Sequence, residues 1–175
     1  VGLFCVGDGE TYNVPVEMAE TRYGIRVDEH SLHTDGAGAG EYRGGSGAVR
    51  VYRSMNENQT FTASFGRNKW PVWGAAGGKD GSVNYFQFID ADGTVSEPMG
   101  IAARRVMNTN DVVRMVTATG GGYGNPFKRP AEKVAMDVKN EYITVEQAKA
   151  DYGVLVDPET FKVLGLTEER QKAEK

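Results

Sequence analysis

The chain has 175 residues and a formal net charge of −4, with 39% hydrophobic and 25% charged residues. This composition is typical of one globular domain and argues against disorder. The sequence has no basic stripe or RNA-binding motif, which argues against a nucleic-acid partner. No apolar run approaches the roughly 20 residues that span a membrane, so no membrane association is expected.

The N-terminal sequence VGLFCVGDGE has neither the positive flank nor the long apolar core of a signal peptide, and it does not begin with Met. We therefore expect a processed or trimmed chain, or one cut from something longer, and the cytoplasm as its location. The single cysteine, Cys5, allows no internal disulfide and no multi-cysteine zinc site.

In the first half of the chain, alternating apolar and polar residues predict half-buried strands. Residues 14–24 form either a short helix or an irregular segment, and 25–33 predict a short strand. Residues 48–54 and 59–65 both alternate, and MNEN between them predicts a hairpin turn.

Two further strands are predicted at 83–89 and 111–118. A DADG turn follows the first of them and brings the TVSEP segment back towards it.

The last third of the chain has a helical pattern. Pro130 suits the first position of a helix, where its missing N–H would be unbonded in any case. Thr144 and Gln147 can form a capping box for a second helix, and Gly153 can end it. VLVDPETFKVLGL then predicts strand, turn and strand, and the charged tail TEERQKAEK is expected to fray.

These elements predict an α+β fold. Mainly antiparallel β structure, sandwich- or barrel-like, is followed by a C-terminal helical hairpin and a short β addition. The glycine-punctuated β-rich region covers 1–129, and the helical hairpin with its extension covers 130–175. We expect both to belong to one compact domain that is part of a larger assembly.

Glycine is the compositional outlier, with 23 residues concentrated in two clusters. The first lies between Gly36 and Gly47, and the second is the loop of Gly120, Gly121, Gly122, Tyr123 and Gly124. Glycine loops can bind phosphate through their N–H groups, but this loop ends in Asn-Pro-Phe and lacks the Gly-Lys-Ser/Thr of a P-loop. A structural or interface turn is therefore favoured over a ligand cradle.

Arg43, followed by Gly44 and Gly45 in EYRGGSG, has two equal interpretations. Its guanidinium could pair with an acid or a phosphate, or it could bond carbonyl groups in a glycine-rich bend.

Glu17 and Glu20 would share one face of a helix and could act as acid and base or bind a cation. Nearby Arg22 makes a plain ion pair the favoured interpretation.

Trp70 and Trp73 flank a proline in a loop. Burial in an interface or a core is favoured for them over contact with a ligand.

His30, His33 and Asp35 have a spacing that could bind a metal. The two histidines would point to opposite faces of a strand, however, so two surface histidines are the favoured interpretation.

Five ordered segments together resemble one family: NVPVEMAETRYG, DGAGAGEYRGGSGAVRVYR, WPVWGAAGGKDG, GGGYGNPFKRP and VKNEYITVEQAKADYGVLVD. They are similar to the C-terminal part of the hydantoinase B family, from about Asn13 to Leu155. That family includes ATP-dependent N-methylhydantoin and 5-oxoproline hydrolases and subunits of acetone and acetophenone carboxylases.

The resemblance implies a hetero-oligomer with a hydantoinase A-type partner, which binds ATP and activates a carbonyl or enol oxygen by phosphorylation. It places any divalent metal in the partner or in the longer N-terminal part of the B subunit, so this chain is expected to bind no cofactor. The sequence His33-Thr34-Asp35 departs from the family's usual pattern. No catalytic residue is carried over. The matched candidates for a substrate site or a subunit contact are Glu17, Glu20, Arg22, Arg43, Gly44, Gly45, Trp73, Gly120, Gly121, Gly122 and Tyr123.

The favoured hypothesis is a subunit or C-terminal fragment of an ATP-dependent hydantoinase/oxoprolinase-type amidohydrolase, inactive alone, that acts on a hydantoin, oxoproline or lactam. The first alternative is a subunit of an ATP-dependent acetone/acetophenone-type carboxylase. The second is a purely structural assembly subunit without site residues.

Overall fold

The computed structural model describes residues 14–173. Its elements in chain order are α1 (Val16–Tyr23), β1 (Ile25–His33), β2 (Gly47–Ser54), β3 (Gln59–Ser64), β4 (Tyr85–Ile89), β5 (Ile101–Met107), β6 (Val112–Val116), a 3-10 turn (Pro126–Lys128), α2 (Ala131–Lys139), α3 (Val145–Tyr152), β7 (Val154–Val156), β8 (Val163–Leu166) and α4 (Glu168–Ala173). The predicted α+β class with antiparallel pairing is confirmed. Among the described residues, no helix combines the length and apolar character needed to cross a bilayer.

The described chain divides into two compact units. The first contains residues 14–32, 48–69 and 84–117, and the second contains residues 33–47, 70–83 and 118–173.

A four-stranded sheet with the order β1-β2-β6-β4 organises the first unit. β2 and β4 both pair antiparallel with β6, so that Val116 lies opposite Val49 on one side and Tyr85 on the other. The alternation that predicted β2 arises because one face of the strand is turned towards an apolar core.

β3 pairs antiparallel with β5 in a second, two-stranded sheet. The hairpin predicted between β2 and β3 is therefore wrong as a pairing, because both edges of β2 are occupied by β1 and β6. The strand that β3 does pair with, Ile101–Met107, was not predicted. The TVSEP segment returns beside β4 through single bridges, Ile89 to Val95 and Phe86 to Met99.

Phenylalanines from both sheets fill the core of the first unit. The ring of Phe61 on β3 lies 5.6 Å from that of Phe86 and 5.4 Å from that of Phe88 on β4, edge to face in both cases. This geometry is favourable because the positive edge of one ring meets the negative face of the other. Met107 and Val113 complete the buried cluster, so the first unit is a small sandwich.

In the second unit, α2 and α3 pack with the β7–β8 hairpin around buried Val134, Tyr152 and Val154. The predicted capping box is present. The Thr144 hydroxyl accepts from the N–H of Gln147 at 3.1 Å, and the Gln147 side chain accepts from the N–H of Thr144 at 2.8 Å. Gly153 ends α3 as predicted.

The charged tail does not fray up to residue 173. Glu168–Ala173 form α4, and the buried Arg170 donates to the carbonyls of Tyr152 at 3.0 Å and Arg129 at 2.8 Å. The prediction was wrong because an arginine within a charged run supplies the hydrogen bonds that attach this helix to the second unit.

Candidate functional site

Three glycine-rich segments of the second unit, 36–47, 73–81 and 119–124, lie side by side and are called here the glycine junction. The N–H of Gly38 donates to the carbonyl of Gly120, and the N–H of Gly122 donates to that of Lys79, both at 2.9 Å. The N–H of Ala75 donates in turn to the carbonyl of Gly122, also at 2.9 Å. Backbone bonds thus join stretches of chain that are far apart in the sequence.

The glycine junction leaves no room for side chains at its centre. A Cβ atom on Gly44 would lie 1.9 Å from the carbonyl oxygen of Gly120, and one on Gly122 would lie 2.1 Å from that of Ala39. A Cβ on Gly121 would come within 2.2 Å of the carbonyl oxygen of Trp73. These glycines are required because backbone packs directly against backbone.

Several N–H groups of the junction are already used within it. Those of Gly44 and Gly120 donate to the carbonyls of Gly38 and Gly45, and that of Tyr123 donates to the carbonyl of Tyr42. A phosphate cradle needs convergent N–H groups that are available to the ligand. These observations favour the structural interpretation of the glycine cluster over a phosphate cradle.

Arg43 lies in a buried ion-pair cluster. Its Nε is 3.3 Å from Oδ2 of Asp137 on α2, and Nη2 of Arg129 is 2.8 Å from the same oxygen. Arg43 also donates to the carbonyl of Gly44 at 3.0 Å, and its guanidinium lies 4.7 Å from the centre of the Tyr142 ring. Both interpretations of Arg43 therefore hold at once, since it pairs with an acid and bonds a carbonyl in the bend.

Tyr152 of α3 is buried beside this cluster. Burial raises the pKa of its hydroxyl to about 12, with further effects from the charges of Arg129, Asp137, Arg43 and Asp151. Sequence reasoning missed Arg129, Asp137 and Tyr152. Nothing in the spacing of these residues signals that three separate elements bring them together.

Exposed aromatic side chains surround the glycine junction. Tyr42 and Tyr123 are 56% and 57% exposed, and their ring centres are 6.2 Å apart. Trp70 and Trp73 are 79% and 68% exposed. Core burial, one of the two favoured interpretations of the tryptophans, is wrong for both. Large exposed aromatics are enriched at protein interfaces, so exposure agrees with the interface interpretation, and contact with a ligand stays the other alternative.

The candidate residues on α1 belong to the first unit. The side chain of Glu20 accepts a hydrogen bond from the N–H of Val27 at 2.9 Å, which attaches the helix to β1. Glu17 and Arg22 are exposed on the helix surface. The ion pair expected between these acids and Arg22 does not appear among the ion pairs of the described residues.

A cleft of 860 Å³ lies between α1 and the strands β1, β2 and β3 of the first unit. Its lining is mainly apolar, with Ile25, Val27, Tyr52 and Phe61 among the side chains, and the described lining residues include Arg50 and no acid. Glu17, Glu20 and Arg22 do not line it.

Beside this cleft, Asp28 of β1 is bonded by two arginines, at 2.6 Å from Nε of Arg26 and 2.8 Å from Nε of Arg53. Burial raises the pKa of the Asp28 carboxyl, but the hydrogen bonds and charges of the two arginines outweigh this effect. The pKa of Asp28 therefore lies below its usual value.

The histidine cluster is not arranged as a metal site. His30 and His33 are three residues apart in β1, so their side chains point to opposite faces of the strand. In the part of the chain that the structure describes, no three His, Cys, Asp or Glu side chains are placed to hold an ion. Cys5 lies outside that part.

A protein-family model described as hydantoinase B/oxoprolinase matches residues 2–126. The caprolactamase subunit beta of Pseudomonas jessenii is 30% identical over 158 residues, covering 81% of this chain and 25% of the relative. An uncharacterized protein of Methanocaldococcus jannaschii is 34% identical over 144 residues, covering 82% of this chain and 25% of that protein.

Two solved structures share the fold. The ATP-dependent caprolactamase of Pseudomonas jessenii matches 91% of this chain and 27% of that chain, with a TM-score of 0.70 and 29% identity. The nucleotide-free acetone carboxylase matches 91% of this chain and 25% of that chain, with a TM-score of 0.70 and 17% identity. The chain thus spans about a quarter of the length of the relatives it matches. It belongs to the hydantoinase B/oxoprolinase family.

Proposed function

We propose that this chain is part of the B-type subunit of an ATP-dependent amidohydrolase that opens a cyclic amide such as a hydantoin, oxoproline or lactam. The observation that carries the proposal is the match to caprolactamase, at 30% identity in sequence and a TM-score of 0.70 in structure. The family description names a hydantoinase and an oxoprolinase, whose substrates are also cyclic amides.

In this proposal the chain supports the active site and does not carry the nucleotide. Several N–H groups of the glycine junction are used internally, and the described residues offer no cluster of metal ligands. We propose that ATP and a divalent metal belong to a hydantoinase A-type partner or to the N-terminal part of the B polypeptide. The cytoplasm is the proposed location, because the reaction consumes ATP.

The exposed pair Tyr42 and Tyr123 is the proposed contact with the A-type subunit. The two rings lie side by side on segments that the glycine junction fixes in place. Rigid aromatic side chains lose little conformational entropy on binding and often carry much of the energy of an interface.

The proposal is tested on the complete B-type polypeptide that contains this chain, co-expressed with an A-type subunit. We expect ATP-dependent ring opening of caprolactam, hydantoin or 5-oxoproline, and no turnover when either subunit is omitted. Carboxylation of acetone with bicarbonate, without ring opening of any cyclic amide, would sink the amidohydrolase proposal and favour the carboxylase alternative.

The carboxylase alternative has weaker support, because a likeness to acetone carboxylase at 17% identity shows a common fold alone. The purely structural alternative agrees with the internal use of the junction N–H groups. It differs from our proposal in one outcome, since it predicts that variants at Glu17, Arg43 and Tyr123 leave the activity of the assembled enzyme unchanged.

A further inference from the structure

Arg50 is a charged side chain on the core-facing side of β2. It lies opposite Met115 in the pairing of β2 with β6, and Tyr52 lies opposite Val113, which is 1% exposed. Val113 belongs to the buried cluster of the first unit, and Met115 and Tyr52 pack against that cluster. Side chains two positions apart on a strand share a face, so Arg50 lies on the same face as Tyr52. A cation is costly on an apolar face unless polar or anionic groups meet it there.

The cleft beside α1 brings this cation into an apolar cavity. Its volume of 860 Å³ falls within the range of about 300–1,000 Å³ that is common for small-molecule sites. Arg50 and Tyr52 both line it. Its apolar side chains come from α1 and several strands, and include Val16, Ala19, Ile25, Val27, Phe61 and Met107. An apolar cavity with a few convergent polar groups is the usual form of a small-molecule site.

The described residues that line the cleft carry two positive charges, on Arg50 and Arg53, and no negative charge. Arg53 has a counter-charge outside the lining, since its Nη2 is 2.6 Å from Oδ2 of Asp28. Arg50 donates from Nη1 to the hydroxyl of Tyr52 at 2.9 Å, and its guanidinium lies 5.8 Å from the centre of that ring. Both of these contacts are with a neutral group. The charge on this wall therefore favours an anionic ligand over a cationic one.

The hydroxyl of Tyr52 is placed to donate to the same ligand. A phenol can accept a hydrogen bond and also has one hydrogen to donate, and here its oxygen accepts from Arg50. No hydrogen bond donated by Tyr52 is found among residues 14–173. A guanidinium N–H and a phenol O–H side by side match the two oxygens of a carboxylate, whose charge strengthens both bonds.

We propose that the cleft binds a small organic monocarboxylate with an apolar body. Arg50 and Tyr52 donate to the carboxylate, and the body packs against Val27 and Phe61. A neutral apolar ligand would gain nothing from Arg50, and an organic cation would be repelled by it. This site goes beyond the proposed enzymatic function and does not rest on it.

The test uses the complete B-type polypeptide that contains this chain, without ATP. Isothermal titration calorimetry with sodium 4-phenylbutyrate should show saturable binding. The uncharged amide of the same shape, 4-phenylbutyramide, should bind about tenfold more weakly, because hydrogen bonds to a charged group are the stronger ones. Acetate keeps the carboxylate but has no apolar body, so it should also bind about tenfold more weakly or less.

A pair of tyrosine variants separates the site from a general effect on the sheet. Tyr52→Phe removes one donor and keeps the ring, so affinity for 4-phenylbutyrate should fall about tenfold. The matched control is Tyr85→Phe, because Tyr85 accepts from Nη1 of Arg114 at 3.2 Å on the opposite face of the same sheet. This control should keep the wild-type affinity within about twofold.

Equal affinity for the acid and its amide would overturn the proposal, and so would undiminished binding in Tyr52→Phe. Absence of binding to the complete polypeptide would also overturn it, and would show that protein or solvent occupies the cleft. A structural test does not depend on any variant. In crystals soaked with 4-(4-bromophenyl)butyrate, the carboxylate should lie within hydrogen-bond distance of Arg50 and Tyr52. A bromine signal only at other places on the molecule would rule the site out.

Discussion

Asp137 lies 3.3 Å from Arg43, although 94 positions separate the two residues in the sequence. The contact joins the first glycine-rich segment to α2, and Arg129 binds the same carboxylate oxygen. Because Arg43 and Arg129 also bond the carbonyls of Gly44 and Glu41, this carboxylate fixes the bend that carries Tyr42.

Replacing Asp137 with Asn should destabilise the chain by about 3 kcal/mol, because two largely buried guanidinium groups would lose their counter-charge. Urea unfolding measures the change through the midpoint and slope of the transition. The matched control is Asp151→Asn, which breaks a more exposed pair with Lys79 and should cost no more than about 1 kcal/mol. Equal losses in the two variants would show that the cluster adds no stability beyond that of a surface ion pair.

The neighbouring residues Gly44 and Gly45 allow a matched test of the glycine junction. A methyl group on Gly44 would collide with the backbone of Gly120, whereas nothing lies within 4 Å of a Cβ on Gly45. Gly44→Ala should therefore cost about 3 kcal/mol or more, because backbone would have to move. Gly45→Ala should be neutral or stabilise slightly, since alanine restricts the unfolded chain.

Urea unfolding of both alanine variants decides whether Gly44 has a packing role. A Gly44→Ala variant of wild-type stability would mean that the junction adapts easily and that its glycines are retained for another reason.

Local signals in the sequence predicted most elements but not their partners. Alternation predicted the positions of β2 and β3, and the capping box predicted the start of α3, because these signals lie within one segment. β5 was missed because IAARRVM does not alternate, and Arg104 within it has a left-handed φ of 52°. The pairing of β3 with β5 depends on which edges of the first sheet remain open, and no local pattern records this.

The candidate site was predicted in part, for the same reason. Clustered glycines correctly indicated unusual backbone, since close approach leaves a compositional signal. Arg43 was recognised as an ion-pair candidate, but Asp137 and Arg129 were not named, because a helix and a turn far along the chain supply them. The exposure of Trp70 and Trp73 could not be deduced either, because burial depends on tertiary packing.

Stability at high pH should depend on Tyr152. Burial raises the pKa of this hydroxyl to about 12 in the folded chain, against an ordinary value of 10.0. A raised pKa favours the protonated form, so its contribution is complete below pH 10 and is lost as the pH rises from 10 to 12. The two-unit shift corresponds to about 3 kcal/mol.

Urea unfolding at pH 9, 10 and 11 checks this dependence. Wild-type stability should fall across the series more steeply than that of Tyr152→Phe, which has no hydroxyl to ionise. Tyr23→Phe is the control and should follow the wild type. Parallel curves for wild type and Tyr152→Phe would show that other groups account for the alkaline loss.

Stability at low pH should depend on Asp28. Its folded pKa is lowered, so its contribution is present above the unfolded value near 3.8 and is lost as the pH falls through the folded pKa. Asp28→Asn should cost about 1 kcal/mol or less at pH 6, and the difference from wild type should shrink below pH 4. Urea midpoints from pH 6 to pH 2.5 measure this convergence, with Glu29→Gln as the control at the adjacent carboxyl. A constant difference across the series would contradict the assignment.

The tyrosine pair should determine affinity for the A-type subunit if it forms the contact proposed here. Alanine at Tyr42 or Tyr123 should weaken assembly about tenfold or more, since truncating a central aromatic of an interface commonly costs over 1.4 kcal/mol. Tyr23 is 55% exposed, close to the exposure of the pair, but lies on the first unit, so Tyr23→Ala should change affinity less than about twofold. Titration of each B-type variant with the A-type subunit gives the Kd, and urea unfolding confirms that the variant is folded. If Tyr42→Ala and Tyr123→Ala both bind with wild-type affinity while Tyr23→Ala binds more weakly, the proposed contact is wrong. The A-type subunit would then contact the α1 end of the first unit and not the glycine junction.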